Sequence, residues 1–318
     1  MTTSSLLRPL GTSGLRVHPL CLGGNVFGWR TDRDASFAVL DAYLARGGNF
    51  VDTADVYSKW VTGNRGGESE QIIGEWLKSR GCRDAVVIAS KVGLGAEDLE
   101  EGLAYDQVIT GCDASLRRLG VETIDLFYAH KDLPEPALEE TLSALAALQQ
   151  AGKVREVAAS NYTAPRLAEA LDLQAARGWA PYAALQNRLN LVARDEFGSD
   201  LQAVCEQRGV GGAAHSALAA GFLTGKYRPG RPVPAGEHAA TIVSTLLADE
   251  RNVAVLAAAD RVAARLGASV TQIALAWALA HRGMACVIAS ATSPAQVEEL
   301  FGAVDLELGA DDLAELGA

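Results

Sequence analysis

Residues 19–29 read PLCLGGNVFGW, and the fold turns on what this stretch lacks. A short apolar run, Pro19–Leu22, opens into a turn with two adjacent glycines. It does not have the G-x-G-x-x-G spacing with which a doubly wound sheet closes its first strand–helix turn over a dinucleotide. The other glycine-rich piece, GNRGG at 63–67, does not directly follow an apolar run.

Outward from that stretch the chain alternates between two patterns. Short apolar runs recur at Phe50–Val51, Val86–Ala89, Ile124–Tyr128, Val154–Ala159, Tyr182–Leu185, Val210–Ala214 and Ala285–Ile288. None shows clean apolar–polar alternation, as expected of parallel strands covered on both faces. Between them lie helical stripes: Phe37, Leu40 and Leu44; Ile72, Ile73, Trp76 and Leu77 after Ser69; Val108, Cys112, Leu116 and Leu119 before Gly120; Leu138, Leu142 and Leu145 before Gly152; and Leu201, Val204 and Cys205. With no glycine fingerprint at the first turn, the alternation predicts a closed (β/α)8 TIM barrel, an α/β fold, as one domain over residues 1–318. RPLGTSGLRVH, turning at Gly11–Gly14, reads as an N-terminal β-hairpin suited to closing the bottom of the barrel. Residues 216–252, with GFLTGKYRPGRPVPAGEH inside them, read as a long loop after the seventh strand, the kind of connection that carries function.

Composition narrows the function. The chain has 318 residues and a net charge of −11 from 28 basic and 39 acidic groups, with no dense basic block. Nucleic acid is therefore not an expected partner. Five widely spaced cysteines without a C-x-x-C predict neither a disulfide framework nor a zinc site, and no metal is expected. MTTSSLLRPLGTSG lacks the pattern of a signal peptide, and the longest apolar stretches are too short to span a bilayer. These features predict a cytoplasmic protein with no membrane partner.

In a parallel barrel the chemistry sits at the C-terminal ends of the strands. Just past the successive apolar runs stand Gly24 and Asn25, Asp52, Lys91, His130, Ser160 and Asn161, Gln186, His215 and Ser216, then Ser290 and Thr292. The first half of this ring is reactive, with Tyr57 five residues after Asp52; the second half is neutral and polar. Taken singly, Asp52 also reads as a loop carboxylate, Lys91 as a solvent-facing charge and His130 as a structural imidazole. Together they make a general acid: an ammonium at Lys91 lowers the pKa of a Tyr57 phenol, Asp52 holds Lys91, and His130 hydrogen-bonds a carbonyl or the phenol.

At these positions the sequence resembles the aldo-keto reductase family over nearly its whole length. NFVDTADVYS, VVIASKVG and DLFYAHKDLP resemble the segments that carry the catalytic Asp, Tyr, Lys and His, which implies a tetrad of Asp52, Tyr57, Lys91 and His130. ASNYTAPRL and ALQN resemble the nicotinamide-binding segments, implying Ser160, Asn161 and Gln186. HSALAAGFLTGKY resembles the pyrophosphate loop, implying Ser216, Leu218, Gly221 and Lys226. SATSPAQVEEL resembles the adenosine segment, here with Ser290, Thr292 and Gln296. Gly24, Asn25 and Asp52 are further expected cofactor contacts. The resemblance implies direct hydride transfer to an aldehyde, ketone or keto-sugar, with NADP favoured and NAD possible.

Three positions depart from the family pattern. His215 stands where an aromatic ring commonly stacks on the nicotinamide. Ser290–Gln296 has no cation for a 2′-phosphate, leaving Arg228 or Arg231 as substitutes. Leu300 replaces a common Asn. Phe27, Trp29 and Trp60 are candidate walls of a substrate pocket. Two other functions compete: a cofactor-binding regulatory subunit similar to potassium-channel β subunits, and a barrel isomerase or lyase for a phosphorylated substrate.

Overall fold

The computed structural model describes residues 6–97, 99–233 and 240–317. Eight parallel strands close a barrel, each pairing with the next in chain order and the last, Met284–Ala289, pairing with the first, Leu20–Gly23. They are β3 (Leu20–Gly23), β4 (Phe50–Asp52), β5 (Val87–Val92), β6 (Ile124–Ala129), β7 (Val154–Ser160), β8 (Ala184–Arg188), β9 (Gly211–His215) and β10 (Met284–Ala289). Helices cover the outside: α1 (Arg33–Ala45), α2 (Glu68–Arg80), α3 (Tyr105–Leu119), α4 (Leu138–Gln150), α5 (Ala164–Arg177) and α6 (Ser199–Arg208) follow the first six barrel strands in turn. After β9 come α7 (Ala240–Ala248), α8 (Glu250–Leu266) and α9 (Val270–Leu279), and after β10 come α10 (Pro294–Phe301) and α11 (Ala310–Glu315).

The helices end where the sequence stops them. Gly120 takes φ 64° at the C-cap of α3, and Gly152 takes φ 71° just beyond α4, a backbone region that costs glycine least.

The segment expected to be a long loop is only partly irregular. It contains a 3-10 stretch, Ala219–Thr224, and then α7, whose residues ATIVSTLLA include no glycine or proline to break a helix. Residues 234–239 of that segment lie outside the described residues, as do residues 1–5 of the N-terminal stretch.

Strand ends differ from the apolar runs in one systematic way. Asp52, Lys91, Ser160, Gln186 and His215 are strand residues, where the sequence put them just beyond. The backbone ladder continues while the side chains turn polar, because inward-facing positions at that end look into the site rather than the core. β8 shifts as a whole: Tyr182 and Ala183 precede it.

The period of two sets the interior. Phe50, Ala89, Leu126, Tyr128, Ala158, Ala184, Ala213 and Cys286 belong to one buried cluster inside the barrel. Two residues further along, the same inward face presents Asp52, Lys91, His130, Ser160, Gln186 and His215. The hairpin β1 (Arg8–Pro9) and β2 (Arg16–Val17) packs at the opposite end. Leu10, Leu15 and Val17 join the interior cluster, and Arg8 Nη1 donates to the Met284 carbonyl at 3.1 Å. A Cβ on Gly11 would stand 2.5 Å from the Ala183 and Gly209 carbonyls, so the turn meets the strand ends as closely as glycine permits.

Candidate active site

Lys91 and Asp52 are fully buried, 0% and 1% exposed. Lys91 Nζ donates to Asp52 Oδ2 at 2.7 Å, to the Thr53 carbonyl at 2.8 Å and to Tyr57 Oη at 2.9 Å. Its three protons thus have three acceptors, which is what a buried ammonium requires. The Tyr57 hydroxyl donates to Asp52 Oδ2 at 3.1 Å, and Gln186 Nε2 donates to Asp52 Oδ1 at 2.9 Å. Register places these groups side by side, since Asp52 pairs with Gly23 and Ala89, and Lys91 pairs with Tyr128. The Tyr57 ring lies 6.2 Å from the His130 ring, and the buried His130 Nδ1 has no hydrogen-bond partner among the described residues.

The electrostatics correct one expectation. Burial, the Asp52 charge and the hydrogen bond to Asp52 together push the Tyr57 phenol well above its ordinary range. The ammonium at 2.9 Å does not overcome them, so this structure holds Tyr57 as a neutral phenol, a proton donor. Both imidazoles at the rim are neutral. Burial and the Lys91 charge take His130 well below its ordinary value, and the same two causes bring His215 down to about 4.

The other half of the rim is joined by hydrogen bonds between neutral groups. Asn161, left-handed with φ 59°, donates Nδ2 to the His130 carbonyl at 2.9 Å and to Ser160 Oγ at 3.0 Å. Its Oδ1 lies 3.0 Å from His215 Nε2, and His215 Nδ1 lies 3.0 Å from Ser216 Oγ. Because the amide nitrogen faces a carbonyl, its oxygen faces the imidazole, so Nε2 carries the proton and Nδ1 accepts from Ser216. Ser160 Oγ donates to the Gln186 carbonyl at 2.9 Å. Gln186 is therefore tied to the acid cluster through Asp52 as well as to the amide group.

Beyond β9 the chain turns through left-handed residues, with φ 53° at Ser216, 56° at Ala220 and 92° at Gly221. The Gly221 N–H is engaged by the Leu218 carbonyl at 2.9 Å, so this glycine supplies the turn rather than a donor. Leu218 is half-buried, and Lys226 is exposed on the same loop, its ammonium 4.6 Å from the Tyr227 ring. At the last strand, Ser290 Oγ donates to Asn25 Oδ1, and Thr292 N donates to Gln296 Oε1 at 2.7 Å, ahead of α10 with its Ser293 cap.

Several expected residues do not stand where a ligand contact needs them. Gly24 is buried and gives its N–H to the Asp52 carbonyl at 2.7 Å. Asp52 has both oxygens engaged within the chain. Phe27 is 0% exposed and packs in the outer core, so it lines no open pocket. Arg228 makes a bidentate pair with Asp260 at 2.8 and 3.0 Å, so its charge is already met within the chain. Leu300 is buried. Trp29 and Trp60 do meet, edge to face at 6.0 Å, and the Trp60 ring lies 6.2 Å from Tyr57. The Thr53 carbonyl and the link from Gln186 to Asp52 had no sequence signal, since both depend on strand register.

A cleft of about 880 Å³ lies elsewhere, lined by Arg83, Asp125, Arg155 and their neighbours near the start of β6. Asp125 there bridges Arg83 and Arg155, and the cleft opens at the N-terminal end of β6, away from the polar strand ends. Among the described residues no group of three or more His, Cys, Asp or Glu forms a metal cluster, and no single helix is long and apolar enough to cross a membrane.

A parallel barrel with a phenol, an ammonium and a carboxylate in hydrogen-bonding contact at its strand ends defines a class of acid–base site. The sequence profile of the aldo/keto reductase family matches residues 19–318, and the chain belongs to that family. The family in general carries out NAD(P)H-dependent carbonyl reduction. The chain is 31% identical over 331 residues to protein Tas of Escherichia coli, covering 96% of this chain and 95% of Tas. It is likewise 31% identical over 314 residues to a Schizosaccharomyces pombe protein provisionally named a voltage-gated potassium channel subunit beta, covering 94% and 88% of the two chains. It is 56% identical over 88 residues to an uncharacterized 11.2 kDa protein of Pseudescherichia vulneris, covering 27% of this chain and 85% of that one. The lining suits the dinucleotide that the family implies: Asn161 and Ser216 lie exposed beside the acid, joined to their neighbours by neutral hydrogen bonds that a ligand can replace, with Lys226 exposed on the next loop and hydroxyls ahead of α10.

Proposed function

We propose that this protein reduces the carbonyl of a small aldehyde, ketone or keto-sugar, with Tyr57 as the general acid. One observation carries the reading: Tyr57 Oη sits between Lys91 Nζ at 2.9 Å and Asp52 Oδ2 at 3.1 Å while its ring keeps a partly exposed surface. When bound, the nicotinamide supplies the hydride. Asn161, Ser160 and Gln186 would hold its carboxamide, Ser216, Leu218 and Lys226 its pyrophosphate, and Ser290, Thr292 and Gln296 its adenosine end.

The chain's own groups supply the rest. A carbonyl oxygen next to Tyr57 receives its proton as negative charge develops there. Lys91 stabilises the phenolate left behind, and Asp52 fixes Lys91 in place. Neutral His130 contributes a ring nitrogen beside Tyr57 to orient the oxygen. The buried depth of Lys91 and Asp52 keeps water from weakening these contacts. Trp60 and Trp29 form an aromatic wall next to the acid that would face the substrate's body.

NADPH is the favoured reductant. NADH is expected to serve as well, because residues 290–296 offer hydroxyls but no cation to a 2′-phosphate. The test is the loss of reduced-nicotinamide absorbance with each cofactor across a panel of aldehydes, ketones and keto-sugars. Tight cofactor binding with no turnover on any member would favour a regulatory subunit instead.

A further inference from the structure

Behind the β4–β5 wall lies a second group of buried charges that the acid–base step does not use. Glu70 of α2 is fully buried, and its oxygens accept from Ser90 Oγ and from Arg118 Nε of α3, the latter at 2.6 Å. Arg118 also donates to Glu97 at 3.0 Å and to Ser115 at 3.2 Å. Asp55 completes the group. It is 1% exposed, its Oδ1 has no hydrogen-bond partner among the described residues, and its N–H donates to the Lys91 carbonyl at 3.2 Å.

The charges do not balance in pairs. Asp52 takes Lys91 at 2.7 Å and Glu70 takes Arg118 at 2.6 Å, while Asp55 has no ion-pair partner among the described residues. A carboxylate buried without a partner is strongly disfavoured, and such a group keeps its proton instead. The groups that act on it are Glu70 from α2, Arg118 from α3 and Lys91 from β5. Burial and the Glu70 charge push the Asp55 carboxyl up to about 7, against the opposing pull of the Val56 N–H, Arg118 and Lys91.

We propose that Asp55 is a positioning residue for the general acid: by holding or releasing one proton it sets the charge behind Lys91 and so the acidity of Tyr57. This rests on the acid role proposed for Tyr57. With the proton on Asp55, Lys91 faces Asp52 alone. With the proton lost to solvent, a second carboxylate offsets the ammonium, the phenolate is less well stabilised, and Tyr57 is a weaker acid. Carbonyl reduction then slows as pH rises through the neutral range.

Asp55→Asn keeps the shape of the side chain and fixes the neutral state. Wild-type turnover is expected to fall by up to about tenfold across neutrality, the effect of one pKa unit on the general acid. The variant is expected to lack that inflection and to stay at the level seen on the acid side. Carbon-13 NMR of aspartate-labelled protein gives a readout that needs no substrate. The carboxyl resonance missing from the variant is expected to titrate near neutrality in the wild type. Titration of that resonance in the ordinary carboxyl range, about 4, would overturn the proposal. So would an active wild type whose inflection survives in Asp55→Asn. A wild type that reduces no carbonyl at any pH instead sinks the parent reading of Tyr57.

Discussion

The rim of the barrel handles polarity in two opposite ways. Across β4 and β5 the polar groups are charged, buried and satisfied from within the chain: Lys91 finds three acceptors, and Asp52 accepts from Lys91, Tyr57 and Gln186. Past β7 and β9 they are neutral and open to solvent, with Asn161 and Ser216 both exposed. The difference follows from desolvation. A charge removed from water needs its partners in place when the chain folds, so the reactive half is preformed. Amides and hydroxyls lose little by facing water, so the neutral bonds that Asn161 and Ser216 make within the chain can be traded for a ligand's at small cost.

The largest test of this division is Tyr57→Phe. Removing the donor from the preformed half is expected to lower turnover by about a thousandfold or more while leaving NADPH affinity close to wild type. Parallel steady-state kinetics and fluorescence titration check it, and equal loss of both would erase the distinction between the halves.

Asp55→Asn gives the next effect, on stability. A carboxyl raised from 3.8 to about 7 in the folded chain favours the protonated native state. Its contribution is fully present below about pH 4 and is lost as pH rises through 7, a change of about 4 kcal/mol for three pKa units. The variant is therefore expected to melt several degrees higher than wild type near pH 8 and at the same temperature near pH 4, as thermal denaturation at the two pH values would reveal.

Smaller effects belong to the open half. Asn161→Ala is expected to weaken cofactor binding by about tenfold, the loss of one or two neutral hydrogen bonds, with little change in melting temperature. Calorimetric titration measures it, and a large fall in stability would make Asn161 structural. Thr292→Arg, ahead of α10, is expected to raise the NADPH-to-NADH preference by roughly three- to tenfold, since an exposed charge pair is worth about a kilocalorie. An unchanged ratio would separate this segment from the adenosine end.

Much of the barrel was legible because its signals are local. Apolar runs, helical stripes and stop glycines such as Gly120 each report on a few neighbouring residues. So was the ring of polar groups, because barrel chemistry gathers at the strand ends. What escaped depends on three-dimensional neighbours. Phe27 looked like a pocket wall, but its side chain packs under the turn, where Ser58 Oγ holds its carbonyl at 2.7 Å. The acidity of Tyr57 was misjudged because sequence pairs it with Lys91 and cannot weigh Asp52 and burial against that charge. Helix α7 was hidden behind the prolines that precede it. Asp55 stood in plain view two residues before Tyr57, yet its isolation appears only when α2 and α3 have delivered Glu70 and Arg118. Glu70 did leave a trace, a carboxylate beside the apolar stripe of Ile73 and Trp76.

The hairpin at the foot of the barrel acts as a plug. Leu10, Leu15 and Val17 fill that end with apolar side chains, so the barrel's polar groups gather at the other rim, where Trp60 and Lys226 are exposed. A plugged barrel keeps its two ends apart in their duties: substitutions at the foot are expected to register in melting temperature, and those at the rim in what the protein holds.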